Sequence, residues 1–204
     1  TSRGRPSKFV VALSKQQLVG KISALKSDDW VPYIIATTGS GSDAVYAAEF
    51  HKRGVDGRLK QPIVKFDMSL GDFEDENEAQ RKAGRLPIWA DCAEGCYCAI
   101  YAENNNSTAW TVETEEDFED ADKRFSALST NWVRADLVAY ESDDSVMRLY
   151  TDAKIGVCKL LVNRTVGQFQ TKRVALAKDG FFPYRITTFG TGEDHRITAI
   201  FATG

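Results

Sequence analysis

The chain is short of the residue types that usually announce chemistry. It has two histidines, His51 and His195, and two methionines in 204 residues. No G-x-S-x-G elbow is present to set a nucleophilic serine against either histidine. Ser23 to Lys26, "SALK", matches S-x-x-K, but the S-D-N and K-T-G partners of that motif are missing, so it reads as an ordinary helix face. Net charge is -3, too small and of the wrong sign for a partner held through its phosphates, and a nucleic-acid ligand is not expected. No apolar run approaches the ~20 residues that span a bilayer. The opening "TSRGRPSK" has no apolar core of a signal peptide, and the absence of an initial Met reads as a processed or trimmed chain. No cofactor or metal motif is recognisable.

Cysteine is sparse but crowded. Cys92, Cys96 and Cys98 lie in "CAEGCYC", and Cys158 stands apart. The spacing is neither a zinc finger nor a redox C-x-x-C. Cys92 and Cys96 flank "AEG", so a three-residue hairpin loop would set them opposite one another, and Cys158 would staple a neighbouring unit through Cys98 or Cys92. Disulfides are therefore the leading expectation, with buried thiols or a metal site as alternatives. Asn105, Asn106 and Asn163 each open an N-x-S/T triplet. Crowded cysteines and sequons together point to an extracellular, secreted protein.

What the chain has in abundance is self-similarity. "SKQQL" at 14, "SLGDF" at 69, "TEEDF" at 114 and "TVGQF" at 165 each read as a capping box, with Ser14, Ser69, Thr114 and Thr165 as N-caps. Leu18, Phe73, Phe118 and Phe169 follow as the first core residue. A helix of about three turns comes next. Pro32, Pro87 and Pro183 then stand 18 residues after their caps, while the third unit offers Arg134 two residues late. Each unit continues into a hairpin whose second strand ends in Phe50, Tyr101, Tyr150 or Phe201. These aromatics lie 18, 14, 16 and 18 residues past the Pro position, an even spacing that would keep them on one face. A third short strand precedes each helix. The expected fold is α+β: one domain, 1–204, of four helix-plus-β-hairpin repeats (about 9–61, 62–108, 109–156 and 157–204), closed into a pseudo-fourfold ring.

The capped helix, the G-aromatic-x-P step ("GFFP", "GRLP", "DWVP") and the hairpin ending in "AIF" or "AIY" resemble the repeat in the N-terminal half of fungal polyglycine hydrolases and related bacterial tandem-repeat proteins. In those hydrolases the repeats accompany a separate serine-hydrolase domain. Nothing here resembles that domain, so the resemblance implies the repeat half without its activity.

The functional expectation is a secreted, non-catalytic recognition or scaffold module with a protein or glycan ligand. A lectin-like protein using its hairpin loops, or an enzyme with a site at the ring centre, are the alternatives. Trp89 and Trp110 have no equivalents in other units and are ligand-binding candidates, whereas Trp30 and Trp132 read as core. The acidic turn residues Asp43, Glu94, Asp144 and Asp194 are candidates too, set against the plain reading of solvated turns.

Overall fold

The computed structural model describes residues 6–39, 41–53, 61–117, 134–140, 145–152, 158–189 and 195–203. Among them the chain forms twelve strands and three α-helices. It divides into two compact units, Thr1–Ser107 and Thr108–Gly204.

Unit 1 holds β1 (Ser7–Leu13), α1 (Lys15–Lys26), β2 (Trp30–Thr38), β3 (Val45–Lys52), β4 (Ile63–Met68), α2 (Leu70–Lys82), β5 (Arg85–Ala93) and β6 (Cys96–Glu103). Unit 2 holds β7 (Trp110–Asp117), β8 (Arg134–Tyr140), β9 (Ser145–Thr151), β10 (Cys158–Thr165), α3 (Val166–Lys178), β11 (Phe181–Phe189) and β12 (Arg196–Thr203).

These strands make four separate three-stranded antiparallel sheets, ordered β1-β3-β2, β4-β6-β5, β7-β9-β8 and β10-β12-β11. This corrects the expected fold class: the protein is mainly β, not an α+β ring of four helix-plus-hairpin repeats. The strand before each helix is no accessory. It pairs along the free side of the last strand of its unit, which thereby becomes a central strand with ladders on both edges. In the three units where it is described, the helix is a single connection between two outer strands.

Each sheet carries two irregularities at matching places. One falls near the end of the first strand, between Val10/Leu13, Lys65/Met68, Glu113/Glu116 and Leu161/Arg164. Ala12, Asp67 and Asn163 take left-handed φ there, at 56, 50 and 50°. The residue just past this bulge is Ser14, Ser69 or Thr165, and each caps its helix with a complete box. By the same register the third counterpart is Asp117, and Thr114 lies inside β7. The expected third cap is thus three residues early, and the helix expected to follow it, with Phe118 and Trp132, falls outside the described residues.

The second irregularity follows Pro32, Pro87, Ala135 and Pro183. Counting from Ser14, Ser69, Asp117 and Thr165, the interval is 18 residues in every unit. These four residues pair directly with Phe50, Tyr101, Tyr150 and Phe201, all with no exposed surface. Opposed residues of an antiparallel pair share a face whatever the loop between them. Register therefore holds the aromatics inside, and the even spacing expected from sequence breaks at Ala135–Tyr150.

In the first sheet Leu18 and Leu25 of α1 bury against Ile35, Tyr46, Ala48 and Phe50. In the fourth sheet Phe169 and Leu176 of α3 cover Phe181, Ile197, Ala199 and Phe201. No described helix is long and apolar enough to cross a membrane.

Candidate functional site

The two sheets of unit 1 meet where β5 lies along the open edge of β2. With its inner edge paired to β3, β2 leaves outward peptide groups that need partners once covered. Two β5 side chains supply them. The Trp89 indole N–H donates to the Ile35 carbonyl at 2.6 Å, and the Thr37 N–H donates to Asp91 Oδ2 at 3.0 Å. Residues two apart on one strand thus serve groups two apart on the other. Burial raises the Asp91 carboxyl to about 6, against the pull of N–H bonds from Thr37 and Cys92. Trp89, expected as a ligand platform, closes this seam instead.

A second polar group joins the same sheets. Asp67 Oδ1 accepts from the Tyr46 hydroxyl at 2.5 Å, and Asp67 Oδ2 accepts from Lys15 Nζ at 2.6 Å. Burial pushes the Asp67 carboxyl up, but the bonds from Lys15 and Tyr46 outweigh it, and the net direction is down. Cys96 Sγ lies 3.9 Å from Asp67 Oδ1, and burial followed by the Asp67 charge pushes its thiol up. Burial also raises the Cys98 thiol well above its usual value. Thiols shifted this way are protonated at neutral pH and are poor nucleophiles. The left-handed Asp67 is a feature of the fold, because Ala12 and Asn163 repeat it in two other sheets.

The cysteine geometry differs from expectation. The β5–β6 turn has two residues, Glu94 and Gly95, both at positive φ, as a tight hairpin requires. Cys92 therefore pairs with Tyr97, and Cys96 with Ala93. Cys92 and Cys96 point to opposite faces, and none of the four cysteines forms a disulfide. No group of three metal-ligating side chains occurs among the described residues.

Other candidates are scattered. Asp43 is exposed on a single 3-10 turn (Gly41–Asp43), and Glu94 is exposed on its hairpin tip. Trp110 opens β7 opposite Thr151. Asp144 and Asp194 lie outside the described residues. Asn105 and Asn106 are exposed in the loop after β6. Asn163 sits in a bulge with its side-chain oxygen buried, an unfavourable place for a glycan. His51 stacks on Tyr33 at 4.2 Å and contacts Glu49 at 2.8 Å, while His195 is exposed before β12.

The residues that sequence reasoning missed form a recess of about 290 Å³ in unit 1. Val19, Ile22 and Lys26 come from α1, Trp30 to Pro32 from β2, Arg53 from just past β3, Gln61 and Pro62 from just before β4, and Val64 and Phe66 from β4. Among the described residues its walls are mainly apolar, Gln61 adds a neutral amide, and the charged lining groups, Lys26 and Arg53, are cationic. The Trp30 ring is flanked by Lys8 Nζ at 4.6 Å and Lys52 Nζ at 5.1 Å. Arg53 Nε is buried without a hydrogen bond, its neighbour Asp29 Oδ1 standing at 3.6 Å.

The helix side of this recess is particular to the first sheet. Five and eight residues past the N-cap, α1 has Val19 and Ile22, α2 has Glu74 and Asn77, and α3 has Gln170 and Arg173. Comparing those positions between the helices would have revealed the recess from sequence. Compared with protein-family models and with characterised proteins, the chain matches none.

Proposed function

We propose that this chain is a non-catalytic recognition module whose ligand site is the recess of unit 1. The observation that carries this is the apolar pair Val19 and Ile22 at positions where the other described helices are polar. Val19 is 47% exposed, so it brings to the recess apolar surface that the core does not use. The groups best suited to catalysis have other work: Asp91 serves the seam, and Asp67 is tied to Lys15 and Tyr46. The repeat resemblance to the non-catalytic half of polyglycine hydrolases, and a secreted setting, accord with a module of this kind. An apolar, cationic recess suits a neutral glycan poorly, so the lectin reading ranks second.

Amide chemical-shift mapping tests the proposal. The ¹⁵N-labelled chain is titrated with a panel of small apolar acids, neutral oligosaccharides and glycine-rich peptides. Shifts clustered at Val19, Ile22, Trp30, Val64 and Phe66 are expected. Turnover of a panel member, abolished by a single change at Asp91 or Cys96, would replace the module with an enzyme.

A further inference from the structure

Resting on that reading, the geometry points to the chemical class of the ligand: we infer that the recess takes a small amphipathic monocarboxylate, with its apolar body between α1 and β4 and its carboxylate at Lys26 and Arg53.

The volume sets the size. About 290 Å³ lies at the lower end of the roughly 300–1,000 Å³ typical of ligand pockets, so the occupant is small. The walls set the body. Val19, Ile22, Pro32, Val64 and Phe66 offer no hydrogen bonds from their side chains, and with Gln61 as the one amide on the described lining a sugar or peptide held there would replace few of the bonds it loses to water.

The charges set the head. Among the described residues no carboxylate lines the recess, which disfavours a cationic ligand. Among the described residues Lys26 has no carboxylate within ion-pair distance. Arg53 Nε is buried with no acceptor in hydrogen-bond range among the described residues, so it retains a donor for an incoming oxygen. Its companion Asp29 has a 70% exposed side chain at 3.6 Å, which leaves that carboxylate in water and the guanidinium only loosely paired. Lys8 and Lys52 at the Trp30 ring add positive potential, and Asp28 and Asp29 on the exposed helix exit oppose it. The balance at the lining favours one negative charge. An ordinary monoanion is also cheaper to bring against these apolar walls than a phosphate dianion.

The test compares three probes with one body and different heads: decanoate, 1-decanol and decyltrimethylammonium. Each is titrated into the full chain below its aggregation concentration, with amide shifts at Val19, Ile22, Val64 and Phe66 as the readout. Decanoate is expected to bind at least fivefold tighter than decanol, and the cation not measurably. Lys26→Ala is expected to weaken decanoate about fivefold, as loss of one partly screened ion pair would, and to leave decanol unchanged. Equal binding of decanoate and decanol, or preference for the cation, would overturn the carboxylate while keeping the recess as a ligand site. No shift at those four residues with any probe would overturn both claims.

Discussion

The first and second sheets of unit 1 have the same strand order, the same capped helix and the same two bulges, yet they cover themselves differently. Under α1 the contact is apolar, with Leu18, Ile22 and Leu25 over Phe50. Under α2 it is half polar. Phe73 stacks on Tyr97 at 4.8 Å, but Asn77 and Gln80 are also buried. The Tyr101 hydroxyl donates to Asn77 Oδ1 at 2.9 Å, and Gln80 donates to Glu76, which also accepts from Lys65. The difference separates two kinds of position. What both sheets need is the cap, the first core residue, the bulge and the terminal aromatic. What only the first sheet's helix has is apolar surface beyond the core, and that surface lines the recess together with Val64 and Phe66 of the second sheet.

The largest effect should come from breaking a shared position. Phe73→Ala removes a side chain with no exposed surface and is expected to cost about 3–5 kcal/mol in urea unfolding. A cost under 1 kcal/mol would mean that the second sheet does not depend on this core.

The seam gives a pH signature. The Asp91 carboxyl, raised to about 6 from an unfolded value near 3.8, binds more protons folded than unfolded between those values. Its contribution to stability is therefore full below the unfolded value and is lost as pH rises through about 6, on the order of 2–3 kcal/mol in all. Asp91→Asn keeps an acceptor for the Thr37 N–H but cannot ionise. Relative to the parent it should gain stability from pH 4 to pH 7. A constant difference across that range would place Asp91 in water.

A swap between the two sheets sharpens the comparison further. Tyr101→Phe alone leaves Asn77 buried without its donor and should cost about 1–2 kcal/mol. Adding Asn77→Ile imports the first sheet's own pair, Ile22 and Phe50, and should recover most of that loss. A double variant worse than the single one would show the polar cover to be required.

The caps should be interchangeable. Ser14→Ala, Ser69→Ala and Thr165→Ala are each expected to cost about 1 kcal/mol in thermal unfolding, since each removes the same bond to a helix N–H.

How much of this was legible depended on range. Ser14, Ser69 and Thr165 were readable because a capping box is local. Thr114 misled because "TEEDF" copies the box while β7 runs on to Asp117, and only the ladder with β9 exposes the offset. The sheets were misjudged because the strand before each helix pairs some 30 to 40 residues downstream, as Val10 does with Ala48, and no local pattern states that partner. Cys92 and Cys96 misled by one residue of turn length, which reverses the face of every side chain beyond it. The recess escaped notice because its residues are individually unremarkable. They stand out only against their counterparts in α2 and α3.

The most direct test of that contrast is to give α1 the residue of α2 at its exposed recess position. Val19→Glu should lower stability by no more than about 1 kcal/mol, because Val19 is 47% exposed and α2 carries Glu74 at the same place, and it should abolish decanoate binding. Binding retained at parental affinity, or loss of cooperative folding, would contradict the division between positions that build the fold and positions that build the site.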